Sequence, residues 1–265
     1  MSNSCIYDFN KFVVDYSFSF ILKSSTPISI GGSSSLFGVD NAIIRLRDRP
    51  YIPGSSLKGT LRSNAERIAR SMYGDDESIA CNILDPNIEK KRKEAYKDNY
   101  QPCIICEIFG GSTRASRLKV YNAELIDSNK KLTETIRRVA IDRITGAQSK
   151  GRLFDIEYLV PTLEFKWSIR IENIELLADN IDERSRKVID LFNLLIGTIL
   201  HEGIEVGGKR SVGFGVLKVK RKEGKEGEIA EDAFRVSKYT MEDEKGIKII
   251  KEKDVTNEYR RRLTL

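Results

Sequence analysis

The chain has one histidine, His201, among its 265 residues. One imidazole near the end of an apparent helix gives no Ser-His-Asp or Cys-His arrangement, and a cap or core role suits it better than catalysis. Four cysteines in a chain this long make no disulfide scaffold, so a reducing compartment is expected. No apolar run is long enough to cross a bilayer. The start lacks the basic, apolar and cleavage regions of a secretory signal. These absences lead to the expectation of a cytoplasmic protein with no membrane partner.

Hydrophobic residues make up 40%, enough for a sizeable core, and the length suits one large domain or one domain with insertions. Net charge is +6 and the pI is about 9.0. A basic balance favours an anionic partner such as nucleic acid, although a merely soluble basic protein carries similar charge. Distribution says more than the total. From Arg137 to Arg152 there are five basic residues and one acidic residue, whereas Arg221 to Leu265 holds 12 basic and 11 acidic residues.

Residues 11 to 30 read as strand, with alternation through Tyr16, Phe18, Phe20 and Leu22. Residues 33 to 50 look like an irregular loop with a short extended piece at Ala42–Arg45. A helix follows Pro53-Gly54, with Ser55 as N-cap and Leu57, Leu61, Ala65, Ile68, Ala69 and Met72 on one face. Gly74 stops it. Residues 75 to 102 are polar and read as an insertion. Strands are expected at Arg117–Ile126, Leu163–Ile171 and Phe214–Val219, a hairpin at about 133–160, and a second helix from Asp182 to Gly203.

This order is the outline of an α+β fold, a ferredoxin-like (RRM-like) core with large insertions. Residues 1–220 would form the domain, with an insertion at about 75–107. Residues 221–265 would form a charged C-terminal extension. Such sheets face RNA in many proteins, though fold alone does not fix function.

Four groups of residues could carry chemistry. Gly31, Gly32, Ser33 and Asp40 precede a helix start bearing Ser55, Ser56, Lys58 and Arg62. Free N–H groups at a helix start and two cations four residues apart suit a phosphate, and they equally suit an ordinary capped helix. Cys103 and Cys106 form a C-x-x-C pair with Cys81 upstream, a spacing that suits tetrahedral zinc. Glu107, Asp85 or Cys5 could complete that set, and buried free cysteines are the plain alternative. Gly203-x4-Gly208-Lys209 nearly matches a phosphate-binding loop, but Arg210 replaces the metal-binding hydroxyl and a helix precedes the loop, so a nucleotide triphosphatase is rejected. Lys209, Arg210 and Ser211 could still meet RNA phosphates. The hairpin mixes Arg137, Arg138, Arg143, Lys150 and Arg152 with Ile141, Ile144 and Leu153, as a wedge between bases would, or as a surface hairpin would.

The stretch Tyr51-Ile52-Pro53-Gly54-Ser55-Ser56-Leu57-Lys58-Gly59-Thr60-Leu61-Arg62 resembles the signature of the RAMP superfamily (repeat-associated mysterious proteins). With Gly31-Gly32 and Gly38-Val39-Asp40-Asn41 before it, it is similar to the repeated backbone subunit of type III CRISPR effector complexes. Ile108-Phe109-Gly110-Gly111 with Ala115-Ser116-Arg117-Leu118 resembles a second block of that family. Ile141-Asp142-Arg143-Ile144-Thr145 resembles a third, and Gly207-Gly208-Lys209-Arg210-Ser211-Val212-Gly213-Phe214-Gly215 a fourth.

The resemblance implies copies aligned along a guide RNA beside other RAMP subunits, with the hairpin as a thumb that displaces a nucleotide at regular intervals. It implies cleavage of target RNA supported by Asp40, with a divalent cation such as Mg2+, and a structural zinc in the insertion. A lone loop aspartate is otherwise an ordinary turn residue. A subunit that binds guide RNA without cutting is the alternative reading. A precursor-processing ribonuclease is disfavoured by the position of His201, and a generic basic domain by four blocks in the family's order.

Overall fold

The computed structural model describes residues 5–31, 42–82, 85, 87–88, 90–91, 94, 101–111, 114–126, 131–225, 227–244 and 247–263. In chain order its elements are β1 (Val14–Ser24), β2 (Arg45–Leu46), β3 (Arg49–Ile52), α1 (Gly54–Tyr73), α2 (Ile104–Phe109), β4 (Leu118–Val120), β5 (Ala123–Leu125), β6 (Thr133–Ile141), β7 (Gln148–Leu159), β8 (Glu164–Glu172), α3 (Glu183–His201), β9 (Ile204–Glu205), β10 (Val216–Val219), β11 (Phe234–Glu244), β12 (Ile247–Asp254) and α4 (Thr256–Arg262).

Alternation makes β1 the centre of the fold. Tyr16, Phe18, Phe20 and Leu22 are all buried on one face. Phe20 lies opposite Trp167 of β8, and the rings stack with centroids 5.0 Å apart. Phe18 meets Phe192 of α3 at 5.4 Å and Tyr259 of α4 at 5.0 Å, both edge-on. Each such buried ring contributes about 1.5–3 kcal/mol relative to exposure. The helices therefore cover the face that the even-numbered residues of β1 present.

The result is a mixed α/β protein. Among the described residues, one antiparallel sheet of ten strands runs β12–β11–β1–β8–β5–β3–β2. β10 joins β1 at Leu22–Ser24, beyond the stretch of β1 that pairs with β11. β4 and β5 share the other edge of β8, so the single strand expected over 117–126 is broken at Tyr121–Asn122. β6 and β7 stand apart as a hairpin.

Several expectations change. Ser55 does not cap α1. Pro53 takes the N-cap position without a side-chain bond, and the Gly54 N–H donates instead to Asn122 Oδ1 at 2.8 Å. A Cβ on Gly54 would come within 2.4 Å of the Val120 carbonyl oxygen, so only glycine lets the helix start this close to the strand. Met72, expected on the apolar face of α1, is exposed. The stretch ending at residue 107 is not peripheral throughout: every residue from Cys103 to Phe109 is buried. The segment after Lys220 showed little core signal, yet β11 pairs along β1 and buries Phe234 and Val236, while Tyr259 is wholly buried. Its charges fall on the exposed positions. The second helix does begin at Asp182, which caps α3 by accepting from the Ser185 N–H at 3.0 Å. Arg221 caps the other end by donating to the Leu200 and His201 carbonyls, leaving His201 exposed.

Candidate nucleic-acid interface and cysteine cluster

Three chain segments meet at the base of the β6–β7 hairpin. Ile28 and Leu159 exchange backbone hydrogen bonds of 3.1 and 2.8 Å. The Gly208 N–H donates to the Ser29 carbonyl at 2.9 Å, and the Gly215 N–H donates to the Pro27 carbonyl at 2.7 Å. Gly207 has φ +79° and lies so close to Ser29 that a Cβ would sit 2.3 Å from its carbonyl oxygen. A side chain there would push the two loops apart. Gly31 pairs with Ile43 beside them.

This packing places several expected contacts together. Arg210 and Ser211 are exposed and Lys209 is half-exposed in a left-handed turn, φ +63°. Phe214 is buried next to them. Tyr158 meets its ring edge-on, and the Arg138 guanidinium lies 5.3 Å above it. Arg138 is thus held against the glycine-rich loop by a cation–π contact. Arg137 is exposed but paired through Nε and Nη2 with both oxygens of Asp155, at 2.9 and 3.0 Å. At the tip, Asp142 Oδ1 accepts from the N–H groups of Ile144 and Thr145 and from the Thr145 hydroxyl. These bonds pull the Asp142 carboxyl below its ordinary value. They also hold a turn in which Arg143 and Ile144 point outward, Ile144 at 95% exposure. The side chains of Lys150 and Arg152 lie outside the described residues.

Lys58 and Arg62 turn elsewhere, toward the segment between α2 and β4. Lys58 Nζ donates to Ser116 Oγ at 2.7 Å, and Ser116 passes the bond to the Leu118 carbonyl at 2.7 Å. Burial, with Arg62 nearby, pushes the Lys58 ammonium below its ordinary value. Arg62 gives Nε to Glu66, Nη1 to the Gly110 carbonyl at 2.9 Å and Nη2 to Cys106 Sγ at 3.7 Å. Its side chain is only 18% exposed. The expected pair of phosphate ligands is therefore built into the fold, with Arg62 as a brace. Ser55 and Ser56 remain at the surface of the first turn of α1. Gly32, Ser33 and Asp40 lie outside the described residues.

Cys81, Cys103 and Cys106 do meet. The Ile104 and Ile105 N–H groups bond the Ser78 and Ile79 carbonyls, which docks the start of α2 against the segment leading to Cys81. Cys81 Sγ lies 3.5 Å from both Cys103 Sγ and Cys106 Sγ. Cys103 Sγ also accepts from the Cys106 N–H at 3.3 Å. Bonds shared with Cys106 and Cys81 pull the Cys103 thiol below its ordinary value, and bonds shared with Cys103 and Cys81 push the Cys106 thiol above its own. All three are buried and could hold a metal ion. Three suggested fourth ligands do not fit. Cys5 packs against Ser185, Asp85 is bonded to Lys91, and the Glu107 carboxylate is taken by Arg114, Arg117 and Arg184.

Sequence reasoning missed Glu157, Arg45 and Asn122, and it offered Glu107 only as a possible zinc ligand. The Arg45–Glu157 and Gly54–Asn122 partners are remote in the chain, so spacing carried no signal.

The RAMP superfamily's sequence profile matches residues 21–218, and the chain belongs to that superfamily. It is 31% identical over 216 residues to a CRISPR system Cms endoribonuclease Csm3 of Methanocaldococcus jannaschii, covering 75% of each chain. It is 26% identical over 206 residues to the protein of the same name from Streptococcus thermophilus, covering 75% of this chain and 84% of that one. A chain of the type III-B Cmr-beta complex solved with cognate target RNA aligns with a TM-score of 0.48 and 18% identity, over 78% of this chain and 59% of that chain.

Proposed function

We propose that this chain is a backbone subunit of a type III CRISPR ribonucleoprotein, acting in the cytoplasm beside copies of itself and other RAMP subunits. It binds guide RNA and cleaves the bound target RNA at regular intervals through Asp40. The observation that carries the reading is the convergence of the glycine-rich loop, the hairpin base and the Gly31 turn around Arg138, Lys209 and Arg210. The likeness to proteins named endoribonucleases supports the cutting step.

The neighbours β10–β1–β8–β4 lie in the order that a β-α-β-β-α-β unit adopts, which supports a ferredoxin-like core. β11, β12 and α4 add the C-terminal extension to its edge, so the division near residue 220 is one of sequence character within one sheet. The β6–β7 hairpin, with an apolar residue beside a cation at its tip, has the make-up of a thumb that unstacks a nucleotide.

Cationic side chains hold RNA by displacing counterions, so their number is legible in the salt dependence. Removing Arg138, Lys209 and Arg210 together, each to alanine, is expected to weaken guide-RNA binding and to reduce the slope of log K against log salt by about 2 for single-stranded RNA. An unchanged slope counts against the interface. Arg62→Ala is expected to act differently, through lower thermal stability with the slope unchanged.

Zinc is proposed for the cysteine cluster. Sulfurs bound tetrahedrally at about 2.3 Å lie roughly 3.8 Å apart, close to the observed spacing of 3.5 Å. Cys81, Cys103 and Cys106 would hold the ion, with the fourth donor coming from outside this trio. It would tie α2 to the segment before it. Elemental analysis of purified protein is expected to give about one zinc per chain and none in Cys103→Ser; equal zinc in both would rule the cluster out. A divalent cation such as Mg2+ at the cutting site is proposed as a separate cofactor, since it requires oxygen donors.

A further inference from the structure

Glu157 on β7 is buried at the hairpin base, and its carboxylate joins two parts of the fold. Arg45 grips it with both terminal nitrogens, Nη1 to Oε2 at 3.0 Å and Nη2 to Oε1. The Ile43 N–H also donates to Oε2 at 3.0 Å, and Arg45 Nη1 bonds the Ile43 carbonyl at 3.1 Å. Burial pushes the Glu157 carboxyl up, but the bonds from Arg45, Ile43 and Thr133 outweigh it and leave it below its ordinary value. Glu157 stays ionised at neutral pH.

The segment it grips is informative. Ile43 pairs with Gly31, and the Ile44 N–H bonds the Ile30 carbonyl at 3.1 Å. Residues 31 and 42 are the two described ends flanking the stretch that carries Asp40, and Ile43 follows the second. One carboxylate therefore ties the hairpin to the stem of that stretch. A buried Arg–carboxylate pair is an inefficient source of stability, because desolvation cancels much of its attraction. What a bidentate pair supplies is direction.

We propose that Glu157 and Arg45 are positioning residues for target cleavage: the pair fixes the angle of the β6–β7 hairpin against the Ile30–Arg45 stem, and so sets the target strand in register with the cutting residue. This rests on the proposed cleavage of RNA held by the hairpin. Neither side chain needs to touch RNA.

The test uses the assembled ribonucleoprotein with guide RNA. Single-turnover cleavage of bound target, target Kd and cut positions are read for Glu157→Ala, Glu157→Gln, Arg45→Lys and Asp40→Ala. Glu157→Ala is expected to slow cleavage about ten-fold or more with Kd within about two-fold, as small misplacements do. Glu157→Gln, which can still accept the Ile43 N–H, is expected to keep more of the rate. A Glu157→Ala rate within about two-fold of the parent overturns the proposal. So does a rate loss matched by equal loss of affinity, because the residue would then act by holding RNA. If Glu157→Ala fails to assemble, the volume-preserving Glu157→Gln and Arg45→Lys decide: slower cutting at unchanged Kd supports the pair, and unchanged rates in both overturn it. Asp40→Ala separates the two levels. Cutting that survives Asp40→Ala but falls in Glu157→Ala removes Asp40 from the reaction and leaves the pair standing. Cutting that needs Asp40 and ignores Glu157 removes only the pair.

Discussion

Replacing Asp40 with alanine is expected to slow cutting of bound target RNA by about a thousand-fold or more, while target affinity stays within about two-fold. The argument is one of chemical supply. In-line attack by a 2′-hydroxyl requires a group that orients it or holds a metal ion at the phosphate. The arginines and lysines around the hairpin base can balance charge but cannot accept a proton at neutral pH. His201 is exposed on the last turn of α3, and Glu157 is occupied by Arg45 and Ile43. The resemblance to the repeated backbone subunit points to Asp40 in the segment before α1, and the Gly38-Val39-Asp40 context, which Asp48 lacks, marks it. Losing a metal-holding or orienting carboxylate removes several kcal/mol of transition-state stabilisation, and about 4 kcal/mol is a thousand-fold. Asp40→Asn keeps the size, loses the charge and is expected to fail as badly. Chelating divalent ions is expected to stop cutting without releasing target, and Mg2+ to restore it. The measurement is a time course of end-labelled target on a denaturing gel. A full set of cuts at the parental rate from an intact Asp40→Ala complex would leave the binding-only reading in place.

The elements most legible in the sequence were those with strong period and strong caps. The alternation of Tyr16, Phe18, Phe20 and Leu22 gave β1, and the apolar stripe behind Asp182 gave α3. The hairpin at 133–160 was legible because Gly146 interrupts two extended arms. β11, β12 and α4 were missed because their apolar residues are few and mixed with charge: β11 gains its burial from pairing with β1, β12 only extends the sheet beside β11, and α4 is anchored by Tyr259 against Phe18. The cysteine trio was legible from spacing, but the absence of room for Glu107 in it was not. That residue is claimed by Arg114 and Arg117 from the next segment and by Arg184, 77 residues away. Lys58 and Arg62 show the converse. Their helical spacing was read correctly as one face, yet spacing could not say that the face meets Ser116, Gly110 and Cys106 rather than solvent.

Glu107→Gln is expected to cost about 3–5 kcal/mol of folding stability, the typical loss when a buried charge is stripped of its partner. The Glu107 side chain is 3% exposed at the middle of α2. Oε1 accepts from Arg114 Nη2 and Arg117 Nε, each at 2.8 Å, and Oε2 accepts from Arg184 Nη2 at 3.1 Å. Arg117 is wholly buried, with the Phe9 ring 4.5 Å from its guanidinium. Removing the Glu107 charge leaves three cations facing each other, one of them, Arg117, wholly buried. Glutamine preserves the volume but offers a single neutral acceptor, so packing does not explain the loss. On a total stability of about 5–15 kcal/mol this is a large share, and at roughly 2–4 °C per kcal/mol the melting temperature should fall by about 6–20 °C. Calorimetry or circular dichroism reads it directly. Arg184→Ala in the same background should recover part of the loss, because it removes one of the cations left unbalanced. A melting temperature within a degree or two of the parent would show that the cluster finds its balance elsewhere. The consequence reaches α1 through covalent geometry. Arg114 and Arg117 sit in the segment that presents Ser116 to Lys58 and Gly110 to Arg62. A chain with Glu107 neutralised is expected to lose the start of α1 along with its stability.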